Sequence, residues 1–540
     1  MADADIIIAG AGSAGCVLAA RLSEDPKVRV LLIEAGPKGG GFMIDMPAGT
    51  FTLMGNPKAD WCYKTEPDDT INGRAVQWAG GKMLGGSSAI NGMVYIRGQA
   101  QDYDHWAQLG NRGWSWQDVL PVYKRMENYA GGSDELRGRD GPLRITDTPR
   151  HKVPLLEKMI ESAAKIGLPF NADLNGATQE GIGMSQVTIA KGRRQSTAYC
   201  YLDPARGRAN LTIERGALAQ TLILEGKRCV GVRYTVSGQK REARVSREVI
   251  VSSGSINSPK LLELSGIGQG ELLRSRGVTP VHELKGVGEN LRDHYSPRIK
   301  FAITARNATF NDNARGWRLV REAFKYALWR EGFLATTAVP IRMYFRTRPG
   351  LETPDATISI LPFLTERVDG ERRVARQRGI TMNANVLRSE STGSIHIKSN
   401  DPAEAPAIRF NFLSAQNDRD GVLACIRKGR ELMAASPLKE MTGEEIAPGA
   451  HLQTDEELLE WVRTTAETTY HPVGTCKMGN DPMAVVDPEL RVHGIEGLRV
   501  ADASIMPTLT SGNTNAPCIM IGEKCAQMTL ADATQRSKAA

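Results

Sequence analysis

The chain has 540 residues, 41% hydrophobic and 24% charged, with 55 glycines and a net charge of +7 from 68 Lys and Arg against 61 Asp and Glu. That length supports two or more hydrophobic cores, and that composition excludes a disordered, fibrous or collagen-like chain. The charge signs are interspersed, and the short basic clusters at 191–194 and 372–378 carry no interleaved aromatics, so both read as solvated surface and nucleic-acid binding is not expected.

No span reaches the roughly 20 apolar residues of a bilayer crossing. The eight cysteines form no CxxC pair and share no metal-ligand spacing with the eight histidines, which predicts reduced thiols and no metal site. Residues 6–20 are apolar or small, but Ala2-Asp3-Ala4-Asp5 puts acid where a secretory leader carries positive charge. The expected compartment is the cytoplasm, with contact at a membrane surface as the alternative.

In chain order, Ile6-Ile7-Ile8-Ala9 leads into Gly10-Ala11-Gly12-Ser13-Ala14-Gly15, a helix-like stretch through Leu22, a second apolar run 28–33 and then Glu34-Ala35-Gly36. Strand, glycine turn, helix, strand and acid in this order make a dinucleotide-binding βαβ unit. Gly10 permits the tight turn, Gly12 lets backbone amides approach a pyrophosphate, and Gly15 allows close helix–strand packing. Glu34, about 20 residues past the turn, suits a ribose hydroxyl.

Residues 37–70 read as loop with short helices. Residues 80–98 combine dense glycine and small polar residues with Met83, Leu84, Ile90, Met93, Val94 and Ile96, suited to backbone passing close to a bulky planar ligand. The patterns predict helices over 114–127, with Ser115 as cap, and 153–166, a connector at 131–149, and a β-meander over 211–251 that ends in a second strand–turn–helix entry at 249–262. Residues 300–440 change character, with strands at 356–361 and 394–397. Residues 317–334 form a basic amphipathic stretch, read as a packed helix with a site lid or membrane contact as the alternative. From Asp455 the chain returns to helix and then to motif-dense loops.

Stretches 6–36, 80–98, 249–262 and 498–507 all have nucleotide-site character, and a cofactor met from both ends of the chain must be long, which favours FAD over NAD. At this point the sequence resembles the glucose–methanol–choline (GMC) oxidoreductase family, in its bacterial alcohol and choline dehydrogenase-like branch. The resemblance rests on Gly10–Gly15 with Glu34, on Gly80–Gly98, on Gly254–Leu262, on His471-Pro472-Val473-Gly474-Thr475, on Val500–Ser504 and on Gly512–Pro517. It implies an α/β (α+β mixed) chain of p-hydroxybenzoate-hydroxylase-like fold. A Rossmann-like FAD-binding domain would take 1–150, 187–299 and 455–540, and a substrate domain with an antiparallel sheet would take 151–186 and 300–454.

The resemblance assigns the cofactor to Gly10, Gly12, Ser13, Ala14, Gly15, Glu34, Ala35, Met83, Gly85, Ser87, Asn91, Gly92, Met93, Val94, Asp502, Ala503, Asn513 and Pro517. Ile90 stands where some members carry a histidine bonded to the flavin, so FAD is expected to be non-covalent. The catalytic pair carries over to His471 and Asn515. Alcohol oxidation needs a base for the hydroxyl proton while hydride leaves the same carbon, and imidazole suits that at neutral pH. Pro472 restricts the His471 backbone to extended geometry, and an asparagine orients the alcohol oxygen without competing for its proton. His105, His151, His282, His294, His396, His451 and His493 are read as structural.

The reading is an FAD-dependent oxidation of an aliphatic or aromatic primary alcohol to its aldehyde, with oxygen, a quinone or another carrier as electron acceptor. The alternatives are a hydroxynitrile lyase of the same fold with redox-silent flavin, choline-type specificity, or a nicotinamide enzyme. Ser13 lies one glycine short of a GxSxG hydrolase elbow and is explained by phosphate binding.

Overall fold

Two sheets organise the chain, and one cavity is walled by both. The computed structural model describes residues 2–149, 153–368 and 371–539. The segment 150–152, with His151 and the expected domain boundary, lies outside the described residues, as does the side chain of Arg372 in the second basic cluster.

The first sheet grows from the N-terminal apolar run. Strand Ala4–Ala9 lies parallel between Val30–Glu34 and the second half of Gln239–Val251, with Ile6, Ile7 and Ile8 opposite Val30, Leu31 and Leu32. Both faces are covered, which is why these strands are unbroken apolar runs. Helix Ser13–Leu22 connects the first two strands, and Leu498–Val500 joins the far side beside Val249–Val251.

The meander is shorter than its pattern suggests. Leu211–Arg215 pairs in parallel with Val30–Glu34 and so belongs to the nucleotide sheet. The antiparallel part is Ala217–Glu225, Arg228–Val236 and the first half of Gln239–Val251. That last strand serves both arrangements: its exposed first half pairs with 231–236, and its buried Val249-Ile250-Val251 enters the parallel sheet.

The second sheet is antiparallel, in the order Thr442–Ala447, Arg298–Ile303, Gly379–Val386, Ala356–Leu361, Ile341–Phe345 and Gly181–Met184. Its register aligns Arg342 with Ser359, Ser359 with Asn383, and Asn383 with Arg298. Facing residues of neighbouring strands share a side, so these four form one polar row across the sheet. Ile299, Ile358 and Met382, one residue along, point the other way, where Gly429 of helix Gln416–Ala434 packs against all three. One face of the sheet is core and the other is cavity wall.

The 80–98 stretch holds only a short turn, Gly86–Ala89, between irregular segments, and its apolar side chains Met83, Ile90, Met93 and Ile96 are all buried. It is fixed at its far end by Arg97, which is fully buried, pairs with Glu127 and donates to the Leu136 carbonyl at 2.6 Å. Glu127 also takes Arg137 Nε at 2.9 Å and the Gly138 amide at 2.8 Å. The helices expected near 114–127 and 153–166 are Trp116–Met126, capped by Ser115 and Asp118, and Pro154–Lys165.

The basic amphipathic stretch departs from the packed reading. It forms helix Gly316–Trp329, but Trp317, Val320, Phe324, Leu328 and Trp329 are all more than half exposed, while Glu322 and Tyr326 face inward. Among the described residues, no helix is long and apolar enough to cross a membrane.

Removing one partner of a buried ion pair leaves an uncompensated charge, which costs about 3–5 kcal/mol. Glu127→Ala leaves Arg97 so stranded, while Arg137 keeps Asp173 at 2.6 Å. The variant's denaturant midpoint should fall accordingly with the m-value unchanged.

Candidate active site

The cavity, of about 420 Å³, runs from Glu34 and Ala35 past Gly12, Ser13, Ala14, Ser253 and Gly254 to His471 and the polar row of the second sheet. At the first end, Glu34 accepts the Ala11 amide at 2.9 Å and the Gly36 amide at 2.7 Å, and burial raises its carboxyl to about 7. Asp502 accepts the Gly254 amide at 2.9 Å, the Ser258 hydroxyl at 2.6 Å and the Ser504 amide at 2.8 Å, locking two turns together.

Gly10, Gly12, Ser13, Ala14, Glu34, Ala35, Ser87, Asn91, Gly92, Met93, Val94, Asp502, Ala503, Asn513 and Asn515 line the cavity. Four residues assigned to the cofactor stand behind its wall. Gly15 lies beneath the turn, where a Cβ would sit 1.9 Å from the Gly10 carbonyl oxygen, so its task is packing. The Gly85 amide donates to the Ala11 carbonyl at 2.8 Å, Met83 packs among Leu53, Ala59, Ala89 and Ile90, and Pro517 sits inside the first turn of helix Asn515–Ala539.

The first basic cluster departs from the solvated-surface reading at Arg194, while Lys191 is exposed. Arg194 is buried and donates to the Asn91 backbone and side-chain oxygens at 2.6 and 2.9 Å, to the Ile44 carbonyl at 2.9 Å and to Thr50 Oγ1 at 2.6 Å. It clamps the loop that carries Asn91–Val94.

At the far end, His471 sits at a junction. Its backbone amide donates to Asp293 at 2.7 Å, its Nδ1 lies 3.0 Å from His294 Nδ1 and 2.9 Å from Thr469 Oγ1, and its Nε2 lies 2.9 Å from Asn513 Nδ2. The asparagine at the histidine is therefore Asn513. Asn515, two residues on, opens the last helix and accepts the Ser13 hydroxyl at 2.8 Å, which points it at the dinucleotide turn.

The partners decide the proton positions. Arg342 can only donate, so its Nη1, 2.5 Å from Asn513 Oδ1, fixes the amide with Nδ2 towards His471. Nε2 of His471 is then the acceptor and carries the lone pair. At the other edge the Leu387 carbonyl can only accept, so His294 carries its proton on Nε2, at 2.7 Å, and offers Nδ1 as acceptor to the Nδ1–H of His471. Protein surrounds the His471 ring except at the cavity edge. That desolvation, with His294 and Arg342 nearby, holds its pKa well below the usual imidazole value, and burial lowers His294 to about 4. Both rings are neutral at pH 7, and the lone pair on Nε2 is available as a base.

A family profile described as GMC oxidoreductase matches residues 4–296 with its N-terminal part and 389–522 with its C-terminal part. The chain belongs to the GMC oxidoreductase family. It is 43% identical over 530 residues to the oxygen-dependent choline dehydrogenase of Brucella ovis, covering 98% of this chain and 96% of that one. Among solved structures it resembles pyridoxine 4-oxidase from Mesorbium loti, at 30% identity and a TM-score of 0.86, over 97% of this chain and 99% of that one. It also resembles formate oxidase of Aspergillus oryzae RIB40, at 26% identity and a TM-score of 0.91, over 98% and 99%.

This GMC oxidoreductase is accordingly an FAD-dependent enzyme acting on CH–OH donors. The cavity fits FAD: Gly12 lines it with nothing nearer than 3.9 Å to where a Cβ would stand, leaving the turn's amides open to a pyrophosphate. The buried Glu34 stands at one end of it and His471 at the other.

Among the histidines read as structural, His294 lies against His471 and shares a hydrogen bond with it. His396, by contrast, bonds Glu263 and Glu289, and His282 and His493 bond backbone carbonyls. Sequence reasoning also missed Arg342, Ser359 and Asn383. Their signal was polar residues at alternate positions in otherwise apolar strands, as in Ile358-Ser359-Ile360 and Ile341-Arg342-Met343.

A base whose pKa is lowered keeps its neutral form below 6.5 and loses it only when pH falls through the depressed value. Anaerobic flavin reduction by an alcohol should therefore stay level from pH 8 to pH 6. An acid limb centred at or above 6.5 would contradict the neutral-histidine site.

Proposed function

We propose that the protein oxidises a primary alcohol to an aldehyde, with His471 as the base and Asn513 as the group that orients the alcohol oxygen. The arrangement Asn513 Nδ2–His471 Nε2, with the proton positions fixed from both sides, carries this reading. The incoming hydroxyl takes over the Nε2 lone pair and gives it the proton, while Asn513 Nδ2 donates to the oxygen. The Nδ1–H of His471 remains on His294, so the ring cannot rotate as it charges. FAD, when bound, supplies the acceptor for the hydride that leaves the same carbon. Asn515 and Ser13 act at the phosphate turn, and FAD is held without a covalent bond, since Ile90 offers no nucleophile.

General-base assistance contributes about 10²–10⁴-fold. His471→Ala should slow anaerobic bleaching of the flavin by at least about 100-fold while the visible spectrum still shows bound flavin. Bleaching at the wild-type rate would remove His471 from this role. A flavin unmoved by every alcohol, yet accompanied by cyanohydrin cleavage, would favour the lyase.

The identity to choline dehydrogenases supports choline-type specificity as a second reading.

The exposed face of helix Gly316–Trp329 supports a membrane-surface contact. Trp317, Val320, Phe324, Leu328 and Trp329 lie beside Arg318, Arg321, Lys325 and Arg330, a combination suited to an anionic bilayer surface. Exposed Phe42 stacks edge-on against Tyr326 of this helix, and exposed Phe51 lines the cavity, so the apolar patch meets the cavity mouth. A lipid-dissolved quinone would reach the flavin from this side. The protein should sediment with vesicles containing phosphatidylglycerol, and the combined Phe324→Ser, Leu328→Ser and Trp329→Ser variant should remain in solution. A wild-type protein that ignores such vesicles would refute the contact.

A further inference from the structure

The substrate end of the cavity carries an uncompensated positive charge. Arg342 stands on strand Ile341–Phe345, is 4% exposed and lines the cavity. Its Nη1 is engaged by Asn513 and its guanidinium lies 5.3 Å from the Tyr344 ring, but its Nε–H has no acceptor. Among the described residues no carboxylate lies within ion-pair distance of it.

Its counterparts are satisfied differently. Arg298, at the opposite end of the polar row, is neutralised by Glu467 at 2.6 Å. Arg194, also without a carboxylate, spreads its three nitrogens over carbonyl and hydroxyl oxygens. Arg342 alone of these three keeps an idle donor in a desolvated site, and burial lowers its pKa, which marks the charge as costly there.

The acids that line the cavity are Glu34 and Asp502, both at the dinucleotide end with backbone amides on their oxygens. None faces the polar row. A quaternary ammonium placed there would meet a cation without a carboxylate to offset it. A carboxylate would meet a cavity-lining guanidinium whose charge no acid offsets.

We propose that Arg342 is a carboxylate-binding residue of the substrate cavity, and that the alcohol this enzyme takes carries an anionic group a few carbons from its CH₂OH. The inference rests on the alcohol-oxidation reading and stands against the choline-type second reading. The spacing follows from the hydrogen bonds: one amide group, with contacts of 2.5 and 2.9 Å, separates the guanidinium from His471 Nε2. An alcohol oxygen on Nε2 and a carboxylate on Arg342 are then roughly 4–7 Å apart, a span of two to four carbons. Ser359 and Asn383, next in the row, offer hydrogen bonds to the same polar end.

The test uses FAD-loaded enzyme reduced anaerobically by three alcohols of similar size. These are 4-hydroxybutyrate, neutral 3,3-dimethylbutan-1-ol and choline, the last two sharing one shape. The apparent second-order rate of flavin reduction should be at least tenfold higher for 4-hydroxybutyrate than for the neutral alcohol, and lowest for choline. Arg342→Gln should collapse the anion-to-neutral ratio towards one, and Arg342→Lys should retain most of it. Choline reducing the flavin as fast as 4-hydroxybutyrate in the wild type would overturn the proposal without any variant. So would an Arg342→Gln enzyme slowed equally on all three, since that outcome makes Arg342 only a support for Asn513.

Butyrate, which cannot be oxidised, separates the two levels of the argument. It should perturb the flavin spectrum of the wild type and bind at least tenfold more weakly to Arg342→Gln. Butyrate bound equally by both proteins would refute the subsite. No reduction by any alcohol, with butyrate still discriminating, would instead refute the oxidation reading.

Discussion

Each link in the hydrogen-bond chain from Arg342 through Asn513, His471 and His294 to the Leu387 carbonyl can point only one way. A guanidinium cannot accept and a carbonyl cannot donate, so the two ends set the polarity of everything between them. The consequence is a neutral imidazole whose lone pair faces the cavity. The chain joins three remote parts of the sequence: the second sheet supplies Arg342, the loop before the last helix supplies Asn513, and the connection around 293–296 supplies His294. Displacing any one element would release the tautomer, so the elements must stay in register for the lone pair to face the cavity.

The two ends of the cavity solve different problems with different materials. The dinucleotide end is built from backbone: turns at 10–15, 252–254 and 501–504 meet there, held to one another by Asp502 and Glu34. Backbone amides suit a pyrophosphate, because they present donors without adding mobile charge. The far end is built from side chains on a sheet, where four of the six strands contribute to the polar row from the face opposite the core. The apolar residues lie on the other face, packed against Gly429 of the long helix.

The helix Gly316–Trp329 shows how the same pattern can serve opposite ends. Its period is that of a packed amphipathic helix, yet the inward face holds Glu322 and Tyr326 and the outward face holds tryptophans, phenylalanine and leucine. Glu322 accepts the Phe333 amide at 3.0 Å and pairs with Lys325, which ties the helix to its own loop without covering its apolar stripe.

By itself the sequence determined the βαβ start, the flavin family and the place of His471, because each rests on local patterns: glycine spacing, continuous apolar strands, and a histidine ahead of a proline. Alternation at 356–361 indicated strands, and the resemblance implied that their sheet is antiparallel. Tertiary structure alone decided which asparagine meets the histidine. Asn513 and Asn515 are chemically identical and two residues apart, and only the start of the last helix turns one to His471 and the other to Ser13. It likewise decided that His294 is a partner of His471 and that Arg194 is a buried clamp. It also brought Arg342 to the substrate wall without a carboxylate. Burial, register and the absence of a counter-charge are relations between distant segments, and a linear pattern does not contain them.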